Sequence, residues 1–389
     1  MPVLSTCILA LSACGSAAAP TSPSSGASSS AAAVSAPGSA ATSASAAGAA
    51  SAIAPGDWDS VLTAAKKEGK VVLSGPPDEV FRQAAASAFQ QRYGIQLEYL
   101  PLAGAEAIAR VQREAVAQKE SIDLGLFGGG GLAIIPQGLL DPIKPALLLP
   151  EVTDLGHWRD DKLKWMDSQQ EYLLQAVEGV DADLFVNPDS VNPASLTSWK
   201  DLLKPEYKGK IDSFDPRRAG AGQAAATYLL QQFGPDYVRQ LYLDQGVVLS
   251  SDERQVAEWV GRGTYTVGLG LVQRQVEPLR ALGLKFQRVF PADGPGELSG
   301  GTGVLSMIKN RPHDKAGIVL ANWLLTKEGQ ELYSKAYLIP SRRTDVQVVE
   351  VPDYLKPQPG VNYLDQYDGN YYSSVRPKAQ QLLLDTIGR

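Results

Sequence analysis

The chain predicts an α/β fold, on three observations: helical and strand patterns alternate along most of its length, glycines stop the helices, and strands of five to seven apolar-rich residues follow those stops. The first repeat is "DWDSVLTAAKKEG", an amphipathic helix stopped by Gly69, followed by the short buried strand "KVVLSG". A second helix, "EVFRQAAASAFQQRYG", ends at Gly94 and leads into the strand "IQLEYLP". Then "AEAIARVQREAVAQ" is helical, and "IDLGLFGGGG" reads as a strand running into a glycine loop. Such alternation implies βαβ units and a mostly parallel sheet.

At residues 171–187, "EYLLQAVEGVDADLFVN", the pattern becomes extended without a preceding helix, which marks a crossing into a second α/β lobe. That lobe takes in "WKDLLKPEYKGKIDSFDP", a helix over about 220–233, the strand "GVVLSS", the helix "DERQVAEWVGRG" and the strand "YTVGLGL". Further on come the strand "GVLSMI" and one long helix, "HDKAGIVLANWLLTKEGQELYSK", in which Val319 with Trp323 and Leu320 with Leu324 stand at i, i+4 spacing. The expected partition is 57–174 and 286–343 in one lobe, 175–285 in the other, and a C-terminal segment 344–389 packed on the second.

Residues 1–56 read differently. No charged residue precedes Asp57, and the stretch from Ser16 to Pro55 is almost wholly Ala, Ser, Gly, Pro and Thr, with nothing large to bury. It is expected to be a disordered tether over 15–56, holding the body roughly 35 Å from its start as a flexible coil. Before it, "VLSTCILALSA" resembles the apolar core of a secretory signal, and "LSAC" resembles the lipobox of bacterial lipoproteins, which makes Cys14 the expected lipid anchor and 1–14 the signal. "MPVL" lacks the Lys or Arg that opens such a signal, so the natural start is expected further upstream.

Composition excludes several functions. The two cysteines, Cys7 and Cys14, both precede the body, and only His157 and His313 are present, so neither a Cys-based metal site nor a Ser-His-Asp or Cys-His set is expected. With 36 Lys and Arg against 42 Asp and Glu, the formal charge is -6 with mixed signs, which disfavours a nucleic-acid partner. There is no apolar run of the roughly 20 residues that a membrane span needs.

Five segments together resemble the type II solute-binding proteins of ABC importers, in the ferric-iron-like branch: "WDSVLTAAKKEGKVVLSG", "SWKDLLKPEYKGKI" with "DPRRAGAG" behind it, "DERQVAEWVGRGTYTVGLG", "HDKAGIVLANWLLTKEGQELYSKA" and "IPSRRTDV". The resemblance implies two α/β lobes joined by hinge strands, a ligand held in the cleft between them, permease subunits as partners, a monomer, no cofactor and no catalysis. Ligands of open α/β sheets settle outside the carboxyl ends of the strands. On that rule Ser74 and Gly75 after the first strand, and Phe127, Gly128 and Gly129 after the third, are candidate contacts.

The strongest candidate is "SFDPRRAGAGQ", where Arg217 and Arg218 precede Gly220 and Gly222 at a helix start. Free N–H groups there, with adjacent guanidinium groups, suit a phosphate or carboxylate. Arg254 in "SSDERQ" belongs to the same mouth, and Ser299 and Gly300 in "ELSGGTG" lie at the return crossing, as hinge or as contact. An anionic solute is therefore expected. Two alternatives stand beside it. One is ferric iron or a ferric chelate, although "VQRQVEP" has no tyrosine where ferric relatives carry a pair, and Tyr371–Tyr372 lies elsewhere. The other is a nucleotide-dependent enzyme using Gly220 to Ala225, which matches a loose G-x-G-x-x-A pattern.

Overall fold

The computed structural model describes residues 58–388 apart from 103, 182–183 and 219; Cys14 and the Ala/Ser-rich stretch lie outside the described residues. The chain opens with α1 (Trp58–Glu68), β1 (Lys70–Gly75), α2 (Glu79–Tyr93), β2 (Gln96–Pro101), α3 (Gly104–Ala117) and β3 (Leu124–Leu126). Local chemistry sets these bounds. Asp78 caps α2 by accepting from the Phe81 amide, and Gly94 ends it in the left-handed region at φ 72°. Then follow β4 (Leu140–Asp141), the short α4 (Pro150–Thr153), β5 (Lys164–Trp165), β6 (Leu174–Gln175), β7 (Gly179–Asp181), β8 (Leu184–Val186) and β9 (Ile211–Phe214).

The second half runs through α5 (Ala221–Arg239), β10 (Val248–Ser250), α6 (Glu253–Gly261), β11 (Val267–Leu269), α7 (Gln273–Ala281) and β12 (Gln287–Arg288). It continues with β13 (Glu297–Ser299), β14 (Val304–Ile308), α8 (Asp314–Leu325), α9 (Lys327–Tyr337), β15 (Leu364–Asp365) and α10 (Arg376–Ile387). Two departures from the sequence expectation have clear causes. The helix after residue 220 runs on to Arg239, but breaks at Gly234 and Pro235. The long "HDKAGIVLANWLL…" helix is two helices, because Thr326 leaves helical geometry at ψ 166° and its hydroxyl caps α9 by accepting from the Gly329 amide.

The strands form three sheets. The first has the order β2-β1-β3-β14-β6-β5, with β4 also on β14; the second is β10-β9-β11-β8-β12; the third is β15-β13-β7. Each large sheet carries its own core. Phe81, Phe89, Trp158 and Trp323 fill the first, and Trp199, Tyr228, Tyr237 and Leu383 the second.

The third sheet joins them. Strand β7 carries the chain out of the first sheet and β13, antiparallel to it, brings the chain back, while β15 adds a parallel strand from the C-terminal segment. Gly300, just past β13, is buried: a Cβ there would lie 2.9 Å from the end of the Gln175 side chain on β6, so glycine leaves room for that side chain.

Beside the hinge, Glu178 is buried among three cations. Arg159 donates to it at 2.7 Å, Arg342 at 2.5 Å, and Lys164 pairs with it while also holding Asp365 at 2.7 Å. Burial alone would push the Glu178 carboxyl up, but Arg342, Lys164 and Arg159 outweigh it and hold it below its ordinary 4.5. Its stabilising contribution is therefore present above pH 4.5 and lost as pH falls through the depressed value. Glu178→Gln takes the shared counter-charge from buried Arg342 and from half-buried Arg159 and Lys164, and is expected to cost about 3 kcal/mol in urea unfolding. An unchanged unfolding midpoint would show that the cluster does not hold the hinge.

Candidate ligand-binding cleft

Between the two large sheets, floored by the hinge strands, lies a cleft of about 550 Å³. Its two walls differ. Pro76 and Pro77, just past β1, and Tyr333 and Tyr337 of α9 come from the first lobe; Gly220, Ala221, Arg274 and Arg288 come from the second. The C-terminal segment adds Gln366, Tyr367 and Arg376.

Arg288 is the least expected of these. Strand alternation puts it on the same face as Phe286 and Phe290, and β12 pairs it with Phe185 at the sheet edge. The residue is only 8 % exposed, yet its Nε and Nη2 have no hydrogen-bond partner among the described residues. The rings of Phe290, Phe185 and Tyr354 surround the guanidinium at 5.2, 5.6 and 5.6 Å. Among the described residues, the carboxylate paired with it is Asp181, 3.7 Å from Nη2 and outside hydrogen-bonding distance. Burial pushes the Asp181 carboxyl up, against the pull of Arg288 and Ser299. Among the described residues the guanidinium is thus under-compensated, and an anion entering the cleft would supply what it lacks.

The tip of α5 reaches the same space. Gly220 precedes the helix at φ 145°, a conformation that glycine tolerates, and the amides of Ala221, Gly222 and Gln223 come before the first intrahelical bond, from Ala224 to the Gly220 carbonyl. Gly222 is needed for close approach, since a Cβ there would sit 2.0 Å from the Phe214 carbonyl oxygen. Arg274 pairs with Glu253 at the rim, and Arg376 lies over the Tyr372 ring at 4.8 Å.

Of the residues singled out from the sequence, Gly220 and Ser299 line the cleft. The others are placed elsewhere. Arg217 is exposed and forms a bidentate pair with Asp215 at 2.8 Å, a contact that holds the Asp215 carboxyl low, and Arg218 is exposed beside it. Arg254 is on the α6 surface and donates to Glu258 at 2.9 Å. Ser74 and Gly75 are buried at the end of β1, where Tyr99 closes over Gly75. Phe127 is core, and Gly128 and Gly129 are covered by Gly301 and Tyr372.

For a metal, the oxygen-bearing residues lining the cleft include Tyr333, Tyr337, Tyr367, Asp181 and Glu253, but the three hydroxyls already contact Thr302, Tyr99 and Gly301, and Glu253 pairs with Arg274. Burial pushes all three phenols above their ordinary range, so they are neutral donors. Tyr371 donates to Gln231 at 2.9 Å, and Tyr372 packs on Gly129 and Arg376.

Two α/β lobes, a hinge of paired crossing strands and a polar cleft between them define a two-lobed binding protein of the type II periplasmic class. The chain belongs to the bacterial extracellular solute-binding protein family, whose model matches residues 84–356, and it is accordingly an extracytoplasmic solute-binding component of the ABC-importer kind. It is 23 % identical over 302 residues to a Salmonella typhi periplasmic protein provisionally named for 2-aminoethylphosphonate binding, covering 76 % of this chain and 82 % of that protein. Its fold is similar to AfuA of Actinobacillus pleuropneumoniae with fructose-6-phosphate bound (TM-score 0.62, 19 % identity, covering 82 % of this chain and 98 % of that one). It is also similar to iron-bound HitA of Pseudomonas aeruginosa (TM-score 0.60, 16 % identity, 82 % and 99 %).

Proposed function

We propose that the protein captures a small anionic solute bearing a carboxylate, phosphate or phosphonate, closes its lobes around it and passes it unaltered to the permease. The observation that carries this reading is the buried, under-compensated guanidinium of Arg288 on the cleft wall. The open first turn of α5 supplies amides for the remaining anion oxygens. Closure is driven by contacts that improve when the second wall arrives. The names of two relatives, one for an aminophosphonate and one with a bound sugar phosphate, are in line with an anionic head group. Cys14 serves as the lipid anchor, and the body works as a monomer.

A thermal-shift panel of carboxylates, phosphates, phosphonates and ferric citrate tests the reading. A true ligand at a hundredfold excess over Kd adds about 2.7 kcal/mol, read as a rise of about 5 °C. Shifts with phosphates, phosphonates or carboxylates are expected, with the ligand recovered unchanged after incubation. A panel in which ferric citrate alone shifts the melt would replace this reading with the ferric one, and consumption of the ligand would replace it with an enzyme.

A further inference from the structure

We infer that the solute is amphipathic, an anionic head joined to a flat, largely apolar ring. The inference rests on the anion reading above and adds the chemistry of the rest of the molecule.

Three observations lead there. The cleft holds about 550 Å³, well inside the range of about 300–1,000 Å³ typical of sites for drug-sized ligands and far beyond what a bare phosphate or acetate fills. The cations are one-sided: Arg274, paired with Glu253, Arg288 and the α5 tip belong to the second lobe, and Arg376 comes from the C-terminal segment rather than from the first lobe. The opposite wall is aromatic and apolar, built from Pro76, Pro77, Tyr333, Tyr337, Ile339 and Pro340.

That wall is also rigid, and its hydroxyls are already engaged. Tyr333 and Tyr337 lie 4.5 Å apart between ring centroids, at 31°, with Phe81 behind them at 5.2 and 5.5 Å. The Tyr337 hydroxyl is 3.2 Å from that of Tyr99, and the Tyr333 hydroxyl is 3.0 Å from Thr302 Oγ1. What the tyrosines offer a solute is therefore ring surface. A ring on the solute would lie against half-buried Tyr337 while its acidic group reaches across to Arg288, so that both lobes grip different parts of one molecule.

Matched pairs of probes separate head from ring: phenyl phosphate against methyl phosphate, and phenylacetate against acetate, titrated calorimetrically into the full chain. In at least one pair the ring-bearing member is expected to bind tenfold or more tightly. Tyr337→Ala should remove most of that ratio, Tyr337→Phe should keep it, and Arg288→Ala should weaken both members by the same factor. Equal affinities within each pair would overturn the ring inference and leave the anion reading standing. A ratio that survives Tyr337→Ala would also overturn it, by moving the ring off this wall. If Tyr337→Ala does not fold, the wild-type ratio, unchanged in Tyr337→Phe, still decides. Failure of all four probes would overturn the anion reading, and this inference with it.

Discussion

Arg288→Ala is expected to weaken binding of the anionic solute by about a hundredfold or more, because truncating a buried, hydrogen-bonding charge at an interface costs about 2–5 kcal/mol. The folded state should tolerate the change. Asp181, left without its neighbour, is already pushed towards the neutral form by burial. Arg288→Lys keeps the charge but loses the planar fork, and is expected to recover only part of the loss. Arg217→Ala and Arg218→Ala should stay within about threefold, since the Arg217 guanidinium is exposed and already paired with Asp215, where screening leaves little to lose. Calorimetric titration of the four variants checks all of this. A large loss for Arg217→Ala with none for Arg288→Ala would move the anion to the loop after β9.

The second large effect concerns stability. Asp212 sits in β9, fully buried, with neither carboxylate oxygen hydrogen-bonded among the described residues. Its β11 neighbour is Gly268, and a Cβ added there would lie within 3 Å of the carboxylate and of Val260 and Leu271. Removal from water pushes the carboxyl up to about 9 from its ordinary 3.8.

The folded protein therefore holds a proton that the unfolded chain releases above pH 4. A raised folded pKa gives stability that is full below the unfolded value and is lost as pH rises through the folded one. Between pH 4 and pH 7 this amounts to about 4 kcal/mol, at about 1.4 kcal/mol per pH unit. Asp212→Asn cannot ionise, so the stability difference between variant and wild type should swing in favour of the variant over that interval and further towards pH 9. Urea unfolding of both proteins at pH 4.5, 6, 7.5 and 9 measures the swing. A difference independent of pH would mean that Asp212 is ionised and solvated in the folded state.

How much of this was legible in the sequence varies with the scale of the feature. Alternation of helix and strand, read through stops such as Gly69 and Gly94, is enough for the α/β class, because these are local signals of capping and periodicity. The Thr326 break was missed because the apolar period carries across it; the hint was Thr326 with Gly329 three residues on, a cap inside an otherwise continuous pattern.

At the cleft, the helix tip at Gly220 was readable as an anion cradle, since a glycine pair at a helix start has a local rationale. Which arginine faces the cleft was not. Arg217 and Arg218 are conspicuous by adjacency, whereas Asp215, two residues away, captures the first of them. Arg288 stands in "KFQRVF", and its signal was the alternation that puts a cation on the face of Phe286 and Phe290. The parts of the cleft contributed by Tyr333 and Tyr337 on one side, and by Arg376 from the C-terminal segment, depend on contacts between segments far apart in the chain, for which no local pattern exists.

The central claim is that an anion is held between the lobes at Arg288, and a crystal structure of the full chain with the tightest solute from the panel tests it most directly. The account predicts anion oxygens within about 3 Å of the Arg288 guanidinium and of the first amides of α5, with the first lobe's tyrosines against the remainder of the solute. A solute bound at Arg217 and Arg218 outside the cleft, with Arg288 still facing only Asp181 and its three rings, would contradict it.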